Sequence, residues 1–374
     1  MNQVLISGIL AFLITFFSIP VIMDVAKRKK LFDEPEERKI HKAVIPTLGG
    51  LGIFAGFIMA TLLSAPPAAP VLQYFMAAFM VIFFMGIKDD ILILSASKKF
   101  IGQLVAAGIL IKFGGIQITN MYGVLGFHAI PHGVSVLITL FTIVVITNSF
   151  NLIDGVDGLA GSLGLLTSFT FGLYFYASGQ PLYSLMAFSL SGSLIAYLIY
   201  NFHPAKIFMG DTGSLLIGLL NSIFVIKFIS IAADPTMPFP LQSAPAIGFA
   251  ILIVPLFDTL RVVGLRILSR RSPFSPDKNH IHHFLLDLGL SHKMITFTCL
   301  AANILFIALA YSLRASGTAI VILALSVAAI IAVSVIYYNS SRAKMLKISK
   351  LAKNKSILKS HKILTLSSEP VEQN

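Results

Sequence analysis

The sequence predicts an all-α, polytopic integral membrane protein with about 11 transmembrane helices, and three observations carry that expectation. Of the 374 residues, 56% are hydrophobic and only 12% charged, with a mean hydropathy of +0.87. A soluble chain of this length needs more polar surface than that to cover its core. Apolar runs of about 20 residues, the length that crosses a hydrocarbon core as a helix, recur along the chain. Finally, nearly all basic residues fall on one side of those runs.

The spans are expected near 3–24, 48–65, 70–87, 99–113, 132–149, 159–178, 183–201, 213–231, 244–263, 295–312 and 317–338. The first is not a cleavable signal: its apolar stretch is too long, no A-x-A site follows, and the basic flank Lys27–Lys30 comes after it. Those near 48, 99 and 132 are short or Gly-rich, which points to tilt or burial within the bundle. An odd number of spans puts the termini on opposite sides. Among the 28 Lys and Arg, only Lys112, Lys227 and Arg314 fall on the side of the N-terminus. Basic residues concentrate on the cytoplasmic side, so the N-terminus is expected outside and the C-terminus in the cytoplasm of a bacterial inner membrane. The carboxylates follow: Asp89, Asp90, Asp154, Asp157, Asp211 and Asp277 lie in inner connections, and Asp234 in an outer one. The active site is therefore expected on the cytoplasmic face.

The single Cys299 excludes a disulfide framework and a cysteine-based zinc or iron–sulfur site. The formal charge of +12 is placed against apolar runs, where it meets anionic membrane lipid rather than nucleic acid. No repeat or linker divides residues 1–339, which read as one integral domain. Residues 340–374 form a basic cytoplasmic tail, with Arg342, Lys344, Lys347 and Lys350 among Met345, Ile348 and Leu351. It reads equally as an amphipathic helix on the inner leaflet and as a solvated, disordered tail.

Five inner connections carry polar residues. The segment 25–47 combines Asp33, Arg38, Lys39, His41, Lys42 and Thr47 before Gly49-Gly50; its basic groups suit phosphate, although a positive-inside flank explains most of them. Asp89 and Asp90 follow directly on a span. Adjacent carboxylates repel, so a metal or a proton is expected there, against the plain alternative of a solvated helix end. Asn148, Asn151, Asp154 and Asp157 recur every three residues, which on a helix gives one polar face beside apolar spans. Asp211 sits between Gly210 and the start of a span, where free N–H groups favour an anion or its metal complex, or where Asp211 itself caps the helix. Near 264–294, His280, His282 and His283 lack a zinc-ligand spacing; with Arg270, Arg271 and Lys278 nearby they suit phosphate or sugar. Carboxylates, amides, histidines and basic groups on one face suit a metal and a diphosphate beside lipid.

These residues resemble the polyprenyl-phosphate N-acetylhexosamine-1-phosphate transferases. The matching pieces, in family order, are Asp33-x-Pro-x-x-Arg38-Lys39-x-His41 with Pro46 and Gly49-Gly50, Asp89-Asp90, Asn151-Leu-Ile-Asp154-Gly-Val-Asp157-Gly, Phe208-Met-Gly-Asp211-x-Gly-Ser, and His280-Ile-His282-His283. The loop SPFSPDKNHIHH is similar to the WecA/TagO-like branch, whose donor is UDP-N-acetylglucosamine; the alternative is a phospho-N-acetylmuramoyl-pentapeptide or other hexosamine-1-phosphate donor.

The resemblance implies that undecaprenyl phosphate attacks the sugar-bearing phosphorus of the UDP-sugar and releases UMP, with Mg²⁺ as cofactor and Mn²⁺ as its substitute. The lipid-linked product would start a cell-envelope polysaccharide. By the same resemblance Asp211 and Asn151 would serve the metal, and Asp89 and Asp90 would be catalytic, binding or deprotonating the lipid phosphate. Lys42, Thr47, Asp154, Asp157, Phe208, Arg271, His280, His282 and His283 would bind substrate, Phe208 packing on uracil. A homodimer is a further expectation. Two other classes fit the sequence less well. A transporter would place its polar residues near the bilayer midplane, not at span ends. A CDP-alcohol phosphotransferase would need Ala-Arg and further carboxylates after Asp157-Gly, where this chain turns apolar.

Overall fold

A computed structural model describes residues 2–29, 45–66, 69–92, 94–272 and 279–366, excepting the side chains of Asn2, Leu125 and residues 347–366. The described residues are helical, without strands; Asn120 and Ala129 form one isolated antiparallel bridge. In chain order the α-helices are α1 (Asn2–Lys29), α2 (Gly49–Ser64), α3 (Leu72–Leu92), α4 (Ala96–Lys112), α5 (His132–Ile153), α6 (Leu159–Ala177), α7 (Pro181–Asn201), α8 (Gly210–Ala232), α9 (Ala244–Ile251), α10 (Ile253–Leu268), α11 (Ile281–Asp287), α12 (His292–Ser312) and α13 (Thr318–Leu366).

Each expected span has a helical counterpart. Length and composition qualify seven of the described helices to cross a membrane, or up to eight if α9 and α10 are one bent span; α2 is a shorter apolar helix. The chain is thus a multi-pass membrane protein. The helix α13 continues unbroken from Thr318 past Asn339 to Leu366.

The central element is α8. Of its apolar window 83% is buried, against 22% in α1 and α13, so α8 is the pillar and those two meet lipid. Leu5, Ile9 and Phe17 on α1 and Ile320, Leu323 and Ile331 on α13 are accordingly exposed. Small residues let the buried helices approach. A Cβ on Gly192 would run into the Gly8 carbonyl between α7 and α1, and one on Gly50 would run into the Gly213 backbone between α2 and α8. Such pairs are how helices pack where lipid removes the hydrophobic drive.

Between α9 and α10 the axis turns by 84° at Leu252. Inside a membrane a break leaves backbone groups that water cannot satisfy. Asn303 of α12 supplies both partners: its Nδ2 donates to Ile251 C=O at 3.0 Å and its Oδ1 accepts Val254 N–H at 3.3 Å. One buried amide thereby holds the start of α10 where it is.

Candidate active site

The end of α3, the start of α4 and the start of α8 meet at one end of the bundle. Lys99 Nζ lies 2.5 Å from Asp89 Oδ2 and 2.6 Å from Asp211 Oδ2, so one ammonium joins two carboxylates 122 positions apart in sequence. Asp89 Oδ1 also accepts Leu94 N–H at 2.5 Å, fixing the turn after α3. Lysine in the first turn of a helix opposes the helix dipole. Its presence at position 99 was the available signal for a residue that lies in none of the sequence motifs above.

Asp90 has a different task. Its Oδ1 accepts Asp211 N–H at 2.6 Å, and its Oδ2 accepts both the N–H and the hydroxyl of Thr212, at 3.1 and 2.6 Å. The carboxylate of α3 caps α8, satisfying donors that have no partner inside the helix. Asp211 does not cap its own helix. Gly210 has φ +71, and a Cβ there would meet the Thr47 carbonyl and lie 2.6 Å from Asp90 Oδ1. Only glycine fits at that point.

The segment before α2 is sewn to the one before α8. Phe208 N–H donates to Pro46 C=O at 2.8 Å, Gly49 N–H to Phe208 C=O at 2.9 Å and Gly50 N–H to Met209 C=O at 2.8 Å. The structure thus brings Thr47 to the site through its backbone, and leaves Phe208 half-buried beside it. Lys42 and Lys278 lie outside the described residues.

At the end of α5 the expected common face holds only in part. Asn148 exchanges bonds with Gln103 of α4 at 2.6 and 3.2 Å, and Asn151 Nδ2 donates to Ser214 Oγ at 3.0 Å, next to Asp211. The helix then stops at Ile153, and Gly155 and Gly158 (φ +78) carry a loop, so Asp154 and Asp157 leave the helical face. Burial, with the charges of Asp211, Asp90 and Asp157 added, pushes the Asp154 carboxyl up to about 7. Asp157 is turned to two histidines that the sequence reading missed. His203 Nδ1 lies 2.6 Å from its Oδ2, which also accepts Ala205 N–H at 3.3 Å, and His292 Nδ1 lies 3.3 Å from its Oδ1. Burial alone would raise this carboxyl; the bonds from His292 and His203 outweigh it and lower it to about 2. Ligand atoms of Asp157, His203 and His292 lie within 4.8 Å of one another, a grouping of metal-ligating types in which each histidine pairs with Asp157.

The histidines come from the other side. His280 Nδ1 lies 2.8 Å from Asp258 Oδ2 of α10. His282 is buried against the Asp154 loop: a Cβ on Gly155 would stand 2.6 Å from its Nε2. Burial first, and the neighbouring His283 second, drop His282 to about 4, so it is neutral at pH 7. His283 is half-buried, and Arg271 is exposed just beyond α10.

Asp89, Asp154 and Asp211 bring negative charge together, and among the described residues only the Lys99 ammonium is paired with them. Side-chain oxygens of Asp211, Asp154 and Asn151 suit a hard divalent cation, so these residues fit Mg²⁺ or Mn²⁺. Carboxylates that gather a divalent cation can hold a phosphate through it.

Comparison with known proteins decides the family. Residues 72–229 match the glycosyl transferase family 4 profile. Over 304 residues the chain is 34% identical to a Bacillus subtilis (strain 168) protein named probable undecaprenyl-phosphate N-acetylglucosaminyl 1-phosphate transferase, covering 79% of this chain and 81% of that one. A decaprenyl-phosphate N-acetylglucosaminephosphotransferase of Mycobacterium leprae is 35% identical over 79% of this chain and 80% of its own. The undecaprenyl-phosphate alpha-N-acetylglucosaminyl 1-phosphate transferase of Escherichia coli K12 is 29% identical, with coverage of 79% and 80%. This chain belongs to glycosyl transferase family 4. As a member of that family, the polyprenyl-phosphate N-acetylhexosamine-1-phosphate transferases, it is a transferase and not a transporter. The family 4 match spans Asp89, Asp90, Lys99, Asn151, Asp154, Asp157, Phe208 and Asp211, the residues that meet at the polar end of the bundle.

Proposed function

We propose that this enzyme transfers N-acetylglucosamine-1-phosphate from UDP-N-acetylglucosamine to undecaprenyl phosphate, releasing UMP on the cytoplasmic face of a bacterial inner membrane and starting a cell-envelope polysaccharide. The observation that carries the reading is the Lys99 bridge between Asp89 and Asp211 at span ends, with Asp154 beside it. A lipid phosphate lies at that depth, so a water-soluble diphosphate and a membrane-bound acceptor can meet there. The names of the relatives support the sugar, and the one-sided basic residues support the cytoplasmic face, with the N-terminus outside and the C-terminus inside.

In the reaction a phosphate oxygen of the lipid forms a bond to the sugar-bearing phosphorus while the bond from that phosphorus to the UMP oxygen breaks. Both partners are anions, so the site must lower their repulsion and hold them in line. Mg²⁺, with Mn²⁺ as substitute, supplies positive charge to the diphosphate when bound; Asp211, Asn151 and Asp154 would hold it. Lys99 contributes a fixed ammonium. Asp89, bonded to it, would bind the lipid phosphate or take its proton, whereas Asp90 keeps Asp211 in place by capping α8. Phe208 packs on uracil, and the Asp157 loop and His280, His282 and His283 grip the donor from two sides. His282, neutral at pH 7, does so by hydrogen bonding rather than by charge.

Incubating purified protein with undecaprenyl phosphate, Mg²⁺ and a mixture of UDP-sugars, and weighing the lipid product by mass spectrometry, tests the reading. The expected product is undecaprenyl diphosphate carrying one N-acetylglucosamine. A muramoyl-pentapeptide product, or none, overturns it.

A further inference from the structure

Asp258 takes no part in the chemistry above, yet it is among the most fully bonded carboxylates in the protein. It sits in α10 with 1% of its side chain exposed. Its Oδ2 lies 2.8 Å from His280 Nδ1, and its Oδ1 accepts Ile281 N–H at 3.0 Å and an Nη2 hydrogen of Arg261 at 2.9 Å. The same Arg261 nitrogen donates to the Asn279 carbonyl. One buried carboxylate thus ties α10 to residues 279–281, where α11 begins.

Burying a carboxylate is costly, and apolar packing joins two helices as well or better. What an apolar side chain cannot do is choose a tautomer. A carboxylate only accepts, so the proton of His280 stays on Nδ1 and Nε2 is the nitrogen left for a ligand. The bond to Ile281 N–H fixes the start of the helix whose second residue, His282, lies against Gly155 in the Asp154 loop. Tautomer and approach therefore depend on one residue. Asn303 extends the chain of causes, because it holds the break from which α10 starts.

We infer that Asp258 is the positioning residue of the histidine segment, fixing the Nδ1–H tautomer of His280 so that Nε2 meets the sugar-nucleotide donor. This rests on the proposed role of the histidines in binding that donor. Replacing Asp258 by Asn offers an amide N–H to Nδ1 and pushes the proton to Nε2, without removing the side chain's bulk.

The experiment uses full-length protein in nanodiscs, with ¹⁵N-labelled histidine. In wild type the His280 signal, assigned by its loss in His280→Gln, should show a protonated Nδ1; in Asp258→Asn it should switch. In the transfer assay with UDP-N-acetylglucosamine, Asp258→Asn should lose about 10- to 100-fold in kcat/KM. Asp258→Glu, which keeps an acceptor, should recover part of that. Added to His280→Gln, Asp258→Asn should cost nothing further, because it acts through His280. Asp287→Asn, which loosens α11 from Ser340 and Lys344 on its other side, should leave kcat/KM unchanged. Full activity in a folded Asp258→Asn protein, additive losses, or an unchanged His280 tautomer would overturn the inference. If wild type makes no lipid-linked sugar, the proposed function fails, and the tautomer measurement still decides the role of Asp258.

Discussion

The Asp90 carboxylate accepts the backbone N–H of Asp211 at 2.6 Å, so the second acid of the adjacent pair holds in place the helix start that carries the third acid. Two neighbouring carboxylates thereby have separate tasks. Asp89 turns to Lys99, and Asp90 turns to the first turn of α8.

Asp90→Ala removes a cap and should lower stability by about 1 kcal/mol, with a matching fall in the detergent melting temperature. Asp90→Asn keeps one oxygen acceptor but turns an N–H toward the donors on the other side, so it should melt between Asp90→Ala and wild type. If Ala and Asn melt alike, capping is not what Asp90 does.

Lys99→Met leaves Asp89 and Asp211 facing each other without the ammonium between them. Turnover should fall by at least about 100-fold, since a group stabilising charge at the reaction centre is lost. Melting should become more dependent on added Mg²⁺, because only a divalent cation is then left to offset the repulsion. A Lys99→Met enzyme with wild-type turnover would remove Lys99 from the site.

Much of this was legible in the sequence because membrane helices and motif loops leave local marks. Each apolar run is helical, one of them as the bent pair α9 and α10, and Asp89 and Asp211, from separate motifs, meet at Lys99. What the sequence hid was pairing across the bundle. Lys99, Asp258, His203 and His292 carry no motif of their own until the fold brings them to Asp211, His280 and Asp157. The three-residue spacing from Asn148 to Asp157 overstated helicity, because Gly155 and Gly158 give the backbone a turn that periodicity does not register. The break at Leu252 lies inside an unbroken apolar run, and its stabiliser, Asn303, is 51 positions away.

Acid should weaken the fold through His282. Its folded-state pKa, lowered to about 4 from a usual 6.5 by burial and the nearby His283, means the unfolded chain takes up a proton first as pH falls. The stability associated with neutral His282 is complete above about pH 6.5 and is lost progressively down to about pH 4. His282→Gln should flatten the melting temperature over that window. A slope that survives the substitution would assign it to another group.

The account's central claim is that Asp211 serves the reaction and not the fold, and paired substitutions test it most directly. Lipid-linked sugar formation and detergent melting would be measured with Mg²⁺ for wild type, Asp211→Asn and Asp234→Asn, the last a half-buried residue whose carboxylate bonds its neighbour Thr236. Asp211→Asn should melt near wild type and form no lipid-linked sugar, Asp234→Asn should match wild type in both, and excess EDTA should abolish product in wild type and Asp234→Asn. Wild-type product formation by Asp211→Asn, or its inactivity through unfolding alone, would contradict the account.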